Sequence, residues 1–188
     1  MTTTHNPNSV PVLNIIGPVG IGKTSVAFAI SDILQSDHDE VLPHALIDLD
    51  DVRREWPAPE GDRFNMTLGF KNLAAVWRNY QEAGAKCLII PSVMESPDDF
   101  DKIRVAVPGA DIFVVRLVAP LHVNHERIRG REKSEGGLTW HLERSTQLAR
   151  ELEEKKLEHI TIDTEGRQPD EIAREIVKHW GVLNRHER

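Results

Sequence analysis

At 188 residues, with 39% hydrophobic and 28% charged side chains, the chain can build one sizeable core and has the make-up of a soluble globular protein. A net charge of −7 argues against broad binding to nucleic acid or to an anionic membrane, so a site for an anion must concentrate its positive groups locally. Cys87 is the single cysteine, which excludes an internal disulfide and points to the reducing cytoplasm.

Residues 1–11 lack the basic and apolar regions of a signal peptide and read as a flexible tail. Residues 12–16 are apolar, with β-branched side chains, and read as a strand. Gly17-Pro18-Val19-Gly20-Ile21-Gly22-Lys23-Thr24 follows and fits G-x-x-x-x-G-K-[ST], the phosphate-binding P-loop. Residues 23–35 then carry apolar side chains at helical spacing. Strand, glycine loop and helix in this order suit phosphate binding. Glycines let successive backbone N–H groups turn inward, and the helix N-terminus adds free N–H groups and partial positive charge. The predicted cradle is Gly17, Val19, Gly20, Ile21, Gly22, Lys23, Thr24 and Ser25. Lys23 reaches the terminal phosphates, and the Thr24 hydroxyl ligates Mg²⁺.

Residues 36–40 form a polar turn, and a second strand spans 45–49, ending among Asp48, Asp50 and Asp51. A proline-bearing loop at 57–61 precedes a helix with Leu73, Val76, Trp77 and Tyr80 on one face and Gly84 past its end. The third strand is 87–90. Ser96-Pro97 then has the chemistry of a helix start, as cap and first position. The fourth strand, 112–118, is apolar apart from Arg116, as expected of a strand covered on both faces. Pro120 opens a basic helix reaching Lys133, Glu135-Gly136-Gly137 breaks it, and a second helix spans 139–156. A fifth strand at 159–162 leads to a last helix from Pro169, with Ile172, Ile176, Val177 and Trp180 on its apolar face. This alternation predicts an α/β P-loop NTPase fold. The expected architecture is a five-stranded parallel sheet with helices on both faces and a helical lid after the fourth strand. The domain spans 12–184, with the lid at about 122–145.

Beyond the P-loop, the chemistry concentrates in two clusters. Asp48 and Asp50 stand at the C-terminal end of the second strand, the ligand edge of an open α/β sheet. In an extended segment they project to the same side. One can hold Mg²⁺ through water while the other accepts a proton from an attacking hydroxyl. Arg53 can hold the acceptor, and Asp51 is the one expected to serve only as a helix cap. The second cluster is residues 126–133, where Arg127 and Arg131 share a helix face four residues apart. There they can surround a transferring phosphoryl group, with Gly136 and Gly137 as hinges. The competing reading is a solvated helix whose arginines pair with Glu126, Glu132 and Glu135. Acceptor-pocket candidates include Arg63, Phe64 and Trp77, the last more readily read as core. Glu95 is a further pocket candidate that can stand near Mg²⁺ or simply end its strand, and Trp140, His141 and Arg144, just past the lid, can contact either ligand.

The P-loop followed by Ile47-Asp48-Leu49-Asp50-Asp51-Val52-Arg53 resembles the adenylylsulfate kinase pattern, which has L-D-G-D-x-V-R after its second strand. More broadly the chain is similar to small-molecule P-loop kinases: shikimate, gluconate and nucleoside kinases and chloramphenicol phosphotransferase. By that resemblance Asp50 matches the catalytic base, Asp48 the preceding Asp and Arg53 the acceptor-binding Arg. Leu49 stands where the family has glycine, and the family's D-R-x-E-N stretch is met only by Asp62-Arg63-Phe64-Asn65, out of pattern. The resemblance also implies that Arg167, in the loop after the fifth strand, meets the adenine.

Together these readings predict ATP- and Mg²⁺-dependent transfer of the γ-phosphate to a hydroxyl of a small molecule. Lys23, Asp50, Asp48, Arg127 and Arg131 carry the reaction. The partners are a small-molecule acceptor, neither nucleic acid nor membrane, in a monomer or homodimer. The alternative is a nucleotide-binding regulatory or resistance protein without metabolite kinase activity.

Overall fold

Val10–Ile16 form strand β1, and every residue of it is buried. Parallel strands flank it on both sides: β3 (Cys87–Pro91) and β4 (Ala110–Val118). With β2 (His44–Leu46) and β5 (Ile160–Asp163) the sheet is five-stranded in the order β2-β3-β1-β4-β5, parallel throughout. The structure, a computed structural model, describes residues 9–36 and 41–183. Residues 1–8 of the expected tail, most of the expected turn at 36–40 and residue 184 lie outside them.

The period of two along β1 divides the core into two layers. Leu13 and Ile15 pack with α1 (Lys23–Ser36) and α7 (Pro169–Trp180). Val12 and Ile16 face the other way, into a core built with α3 (Met66–Glu82) and α4 (Pro97–Ala106). Helices thus cover both faces, as the apolar strands require. Among the described residues no helix is long and apolar enough to cross a membrane.

Several boundaries differ from the sequence reading, for physical reasons. β1 begins at Val10, so Val10 and Pro11 belong to the sheet rather than to a tail. The second strand stops at Leu46, and a one-turn helix α2 (Leu49–Val52) follows. Asp48 caps it, its Oδ1 accepting the Asp50 N–H at 3.0 Å. The cap is therefore Asp48 rather than Asp51, and Asp50 sits in a helical turn instead of an extended segment. Gly136 and Gly137 do not break a helix either. Helix α5 (Leu121–Arg131) ends before them, and both lie in the first turn of α6 (Glu135–Lys155). The interruption falls at 132–134, where the Ser134 hydroxyl caps α6 by accepting the Gly137 N–H at 3.2 Å. Fourteen residues of apolar and polar alternation in α1 start directly at the P-loop lysine, which sets up the site.

Candidate active site

The site forms where β1 runs into α1, at the C-terminal edge of the sheet. Gly17 and Gly20 are required there by space as well as conformation. With φ at +149°, a Cβ on Gly17 would lie 2.8 Å from the Leu117 carbonyl oxygen. One on Gly20, at φ +85°, would lie 2.5 Å from Ile128 Cγ1. The loop is thus clamped between β4 and α5. Lys23 Nζ donates to the carbonyls of Gly17 and Pro18, both at 3.1 Å. Burial lowers its ammonium from the usual 10.5 to about 8.

A cavity of about 420 Å³ opens over this loop, lined by residues 19–26 together with Asp50, Val93, Arg127, Arg131, Thr164 and Arg167. A second cavity of about 400 Å³ adjoins it through Val19, Thr24, Asp50, Val93 and Arg131, which line both. Asp48, Arg53 and Phe64 belong to the second cavity, with Glu95, Trp140 and Arg144 across from them. The chain therefore presents a phosphate cradle and a neighbouring chamber, with Asp50 between the two.

Thr24 Oγ1 donates to Asp48 Oδ2 at 2.7 Å. Burial raises the Asp48 carboxyl above its usual 3.8, partly offset by the Thr24 and Asp50 hydrogen bonds. A hydroxyl and a carboxylate this close are a donor set for Mg²⁺, which takes few protein ligands and completes its shell with water and phosphate oxygens. The glycine cradle and this oxygen pair both fit Mg²⁺ and a nucleotide. Among the described residues no group of three or more His, Cys, Asp or Glu side chains forms a dedicated metal cage.

The arginines divide by their partners. Arg127 is anchored, donating to Thr164 Oγ1 at 2.9 Å and to the Thr164 carbonyl at 2.8 Å. Arg131, one turn further along α5, makes no ion pair among the described residues. The pairing with Glu132 that the competing reading requires does not form; Glu132 turns to His141, with 2.9 Å between Oε2 and Nδ1. Arg167 is held by Glu175 at 2.6 Å, in the wall of the first cavity. Arg53 pairs with Asp50, and Arg144 with Glu95.

Two expected pocket residues lie elsewhere. Trp77 is 1% exposed in the α3 side of the core, because its helical spacing serves packing. Arg63 turns away to a surface groove beside Trp56, leaning over the Phe64 ring at 5.6 Å. The sequence reading also missed two residues that shape the site. Asn124, 2% exposed on α5, donates to the Val19 carbonyl at 2.9 Å and to Ser145 Oγ at 2.6 Å, so one amide ties the P-loop to α5 and α6. Its signal was an amide four residues before Ile128, the other buried residue of α5. Asn14, fully buried in β1, donates to the Ile90 carbonyl at 2.8 Å and to Ser92 Oγ at 2.7 Å, fixing the exit of β3 just before Val93.

The chain matches no protein-family model and no curated protein sequence. Solved structures do match it. The tunicamycin resistance protein of Deinococcus radiodurans superposes with a TM-score of 0.62 at 22% identity, over 92% of this chain and 96% of that one. A gluconokinase from Sinorhizobium meliloti 1021 gives 0.60 at 19%, over 97% of each chain. A shikimate kinase from Acinetobacter baumannii, in complex with shikimate, gives 0.57 at 18%, over 95% and 96%. The chain has the fold of the P-loop small-molecule kinases. At these identities the likeness is one of fold. The site geometry above carries the functional argument.

Proposed function

We propose that the protein is a P-loop phosphotransferase that uses ATP and Mg²⁺ to phosphorylate a hydroxyl of a small molecule. The observation that carries this reading is Asp50, the carboxylate that lines both the cradle cavity and the chamber beside it. A group at that junction can serve an acceptor oxygen in one cavity and a phosphoryl group in the other.

The P-loop N–H groups and Lys23 bind the phosphate chain, and Thr24 with Asp48 holds the metal. Bound Mg²⁺ supplies charge neutralisation on the phosphate oxygens. Asp50 orients the acceptor hydroxyl and takes its proton as the new O–P bond forms and the bond to the ADP oxygen breaks. Arg131, which lacks a protein counter-charge among the described residues, stabilises the transferring group. Arg127, fixed to Thr164, holds the α5 base from which Arg131 reaches. The α5 to α6 segment is the proposed lid. The resemblance to adenylylsulfate kinases supports the role of Asp50 and leaves the acceptor to the pocket. Cys87, buried and with its thiol pushed up to about 12, is an inert core side chain.

The likeness to a resistance protein favours a second reading, in which the chain binds nucleotide and sequesters a ligand without turnover. A coupled ADP-release assay over a panel of hydroxyl compounds separates the two. The kinase reading expects acceptor-dependent release that Asp50→Asn cuts by roughly 10²–10⁴-fold, the span of a lost general base. Nucleotide binding with no acceptor-stimulated release supports the second reading.

A further inference from the structure

We infer that the chamber beside the P-loop takes an uncharged, ring-bearing hydroxyl compound, with its ring against Phe64 and Trp140 and a polar group at His141. The inference rests on the kinase reading in treating this chamber as the acceptor site.

The first observation is aromatic surface left uncovered. Phe64 and Trp140 are each 37% exposed, yet both line this cavity, with centroids 6.4 Å apart and planes inclined at 47°. His141 stands edge-on to Trp140 at 4.9 Å. Arg144 and Arg63 lie over the Phe64 ring at 5.5 and 5.6 Å, and the ring keeps its exposure beside them. Two large rings facing a chamber gain most from a flat apolar ligand that displaces water from both. A polyhydroxylated acid would leave them wet.

The second observation is charge already cancelled. Arg53 is paired with Asp50, Arg144 with Glu95, and Arg54 with Asp51 at 2.8 Å. All six line this cavity. Each of these arginines already sits beside a carboxylate, which would repel a ligand carboxylate, sulfate or phosphate. Arg131, the remaining arginine of the wall, also lines the phosphate cavity, where the reaction needs it. The chamber therefore selects against a second anion.

The third observation is His141. Glu132 Oε2 lies 2.9 Å from its Nδ1, and the same carboxylate accepts the N–H groups of Lys133 and Ser134 at 3.0 and 3.2 Å. The contact is a close approach of carboxylate and ring without hydrogen-bond geometry at Nδ1. The imidazole lines the chamber, where a ring nitrogen can meet a ligand O–H or N–H.

The test is calorimetric titration of the full chain with Mg²⁺ and a non-hydrolysable ATP analogue present. Uridine, adenosine and 2-phenylethanol serve as ring probes, gluconate and shikimate as acid probes. The inference expects a ring probe to bind more tightly than either acid. It expects Trp140→Ala and the milder Phe64→Leu to weaken that probe about tenfold, while binding of the ATP analogue alone is unchanged. Tighter binding of an acid, no binding of any ring probe, or ring binding indifferent to both substitutions overturns it. The two readings fail differently. A ring probe bound through Trp140 but never phosphorylated removes the kinase and keeps the ligand class. Phosphorylation of gluconate or shikimate keeps the kinase and removes the ligand class.

Discussion

Lys23 links the site to pH. Its ammonium is lowered by burial to about 8, and the negative charges of Asp50 and Asp48 recover only part of the loss. Phosphate oxygens set against it favour the charged form and raise it again. Between pH 8 and 10.5 nucleotide binding should therefore take up a proton, and affinity should fall as pH rises above about 8. Calorimetry in buffers of different ionisation enthalpy at that pH reads the proton directly. An affinity flat across the range would contradict the coupling. The same shift has a sign for the fold. The free folded chain binds fewer protons than the unfolded one in that window, so the penalty of burying the ammonium fades as pH rises through it. Lys23→Met should accordingly leave the melting temperature equal or higher while abolishing the thermal shift with ATP. A large drop in melting temperature for Lys23→Met would show that the lysine is structural.

At the scale of elements, the site depends on how α5 and α6 meet the P-loop. Asn124 makes that joint, with its amide shared between the Val19 carbonyl and Ser145. Asn124→Ala leaves buried partners unsatisfied and should cost about 1–3 kcal/mol in denaturant unfolding, with nucleotide binding weakened as well. A change in binding alone, without loss of stability, would contradict the structural role. Gly20 works at the same joint. Gly20→Ala forces a methyl group onto Ile128 and should weaken nucleotide binding without touching Lys23 or Asp50. The elements also explain what was legible in the sequence. The P-loop was readable because its chemistry demands local order: glycines, a lysine and a helix start in fixed succession. The α2 turn was not readable, because the carboxylates at its start served both as strand ending and as cap. Only the 3.0 Å bond from the Asp50 N–H to Asp48 decides between them. The α5–α6 break was misplaced because glycine is tolerated in a first helical turn once a serine caps it, as Ser134 does.

For the whole molecule, one buried sheet supports the site from both sides. The fold class followed from alternating strand and helix patterns, which any parallel α/β chain must show to cover both faces. The assignment of core against pocket did not follow. Trp77 and Phe64 are both aromatic and close in sequence, yet one is core and the other lines the chamber. Tertiary packing of α3 on β1 and β3 makes that choice, and helical periodicity carries no trace of it. Trp180 packs α7 onto the α1 face at 3% exposure, far from the acceptor chamber. Trp180→Ala should cost about 3–5 kcal/mol of unfolding free energy, read by urea denaturation. A cost under 1 kcal/mol would mean that α7 contributes little to this core.

The central claim is that the γ-phosphate of ATP leaves the cradle for a hydroxyl in the adjoining chamber. The most direct measurement supplies ATP labelled in its γ-phosphate and follows the label by chromatography, with the ring compounds and acids above as candidate acceptors. A hydroxyl kinase of this design puts label in an organic product for wild type, leaves it in ATP for Lys23→Ala, and transfers it orders of magnitude more slowly for Asp50→Asn. Label appearing only as inorganic phosphate, or organic transfer that survives Asp50→Asn at full rate, would contradict it.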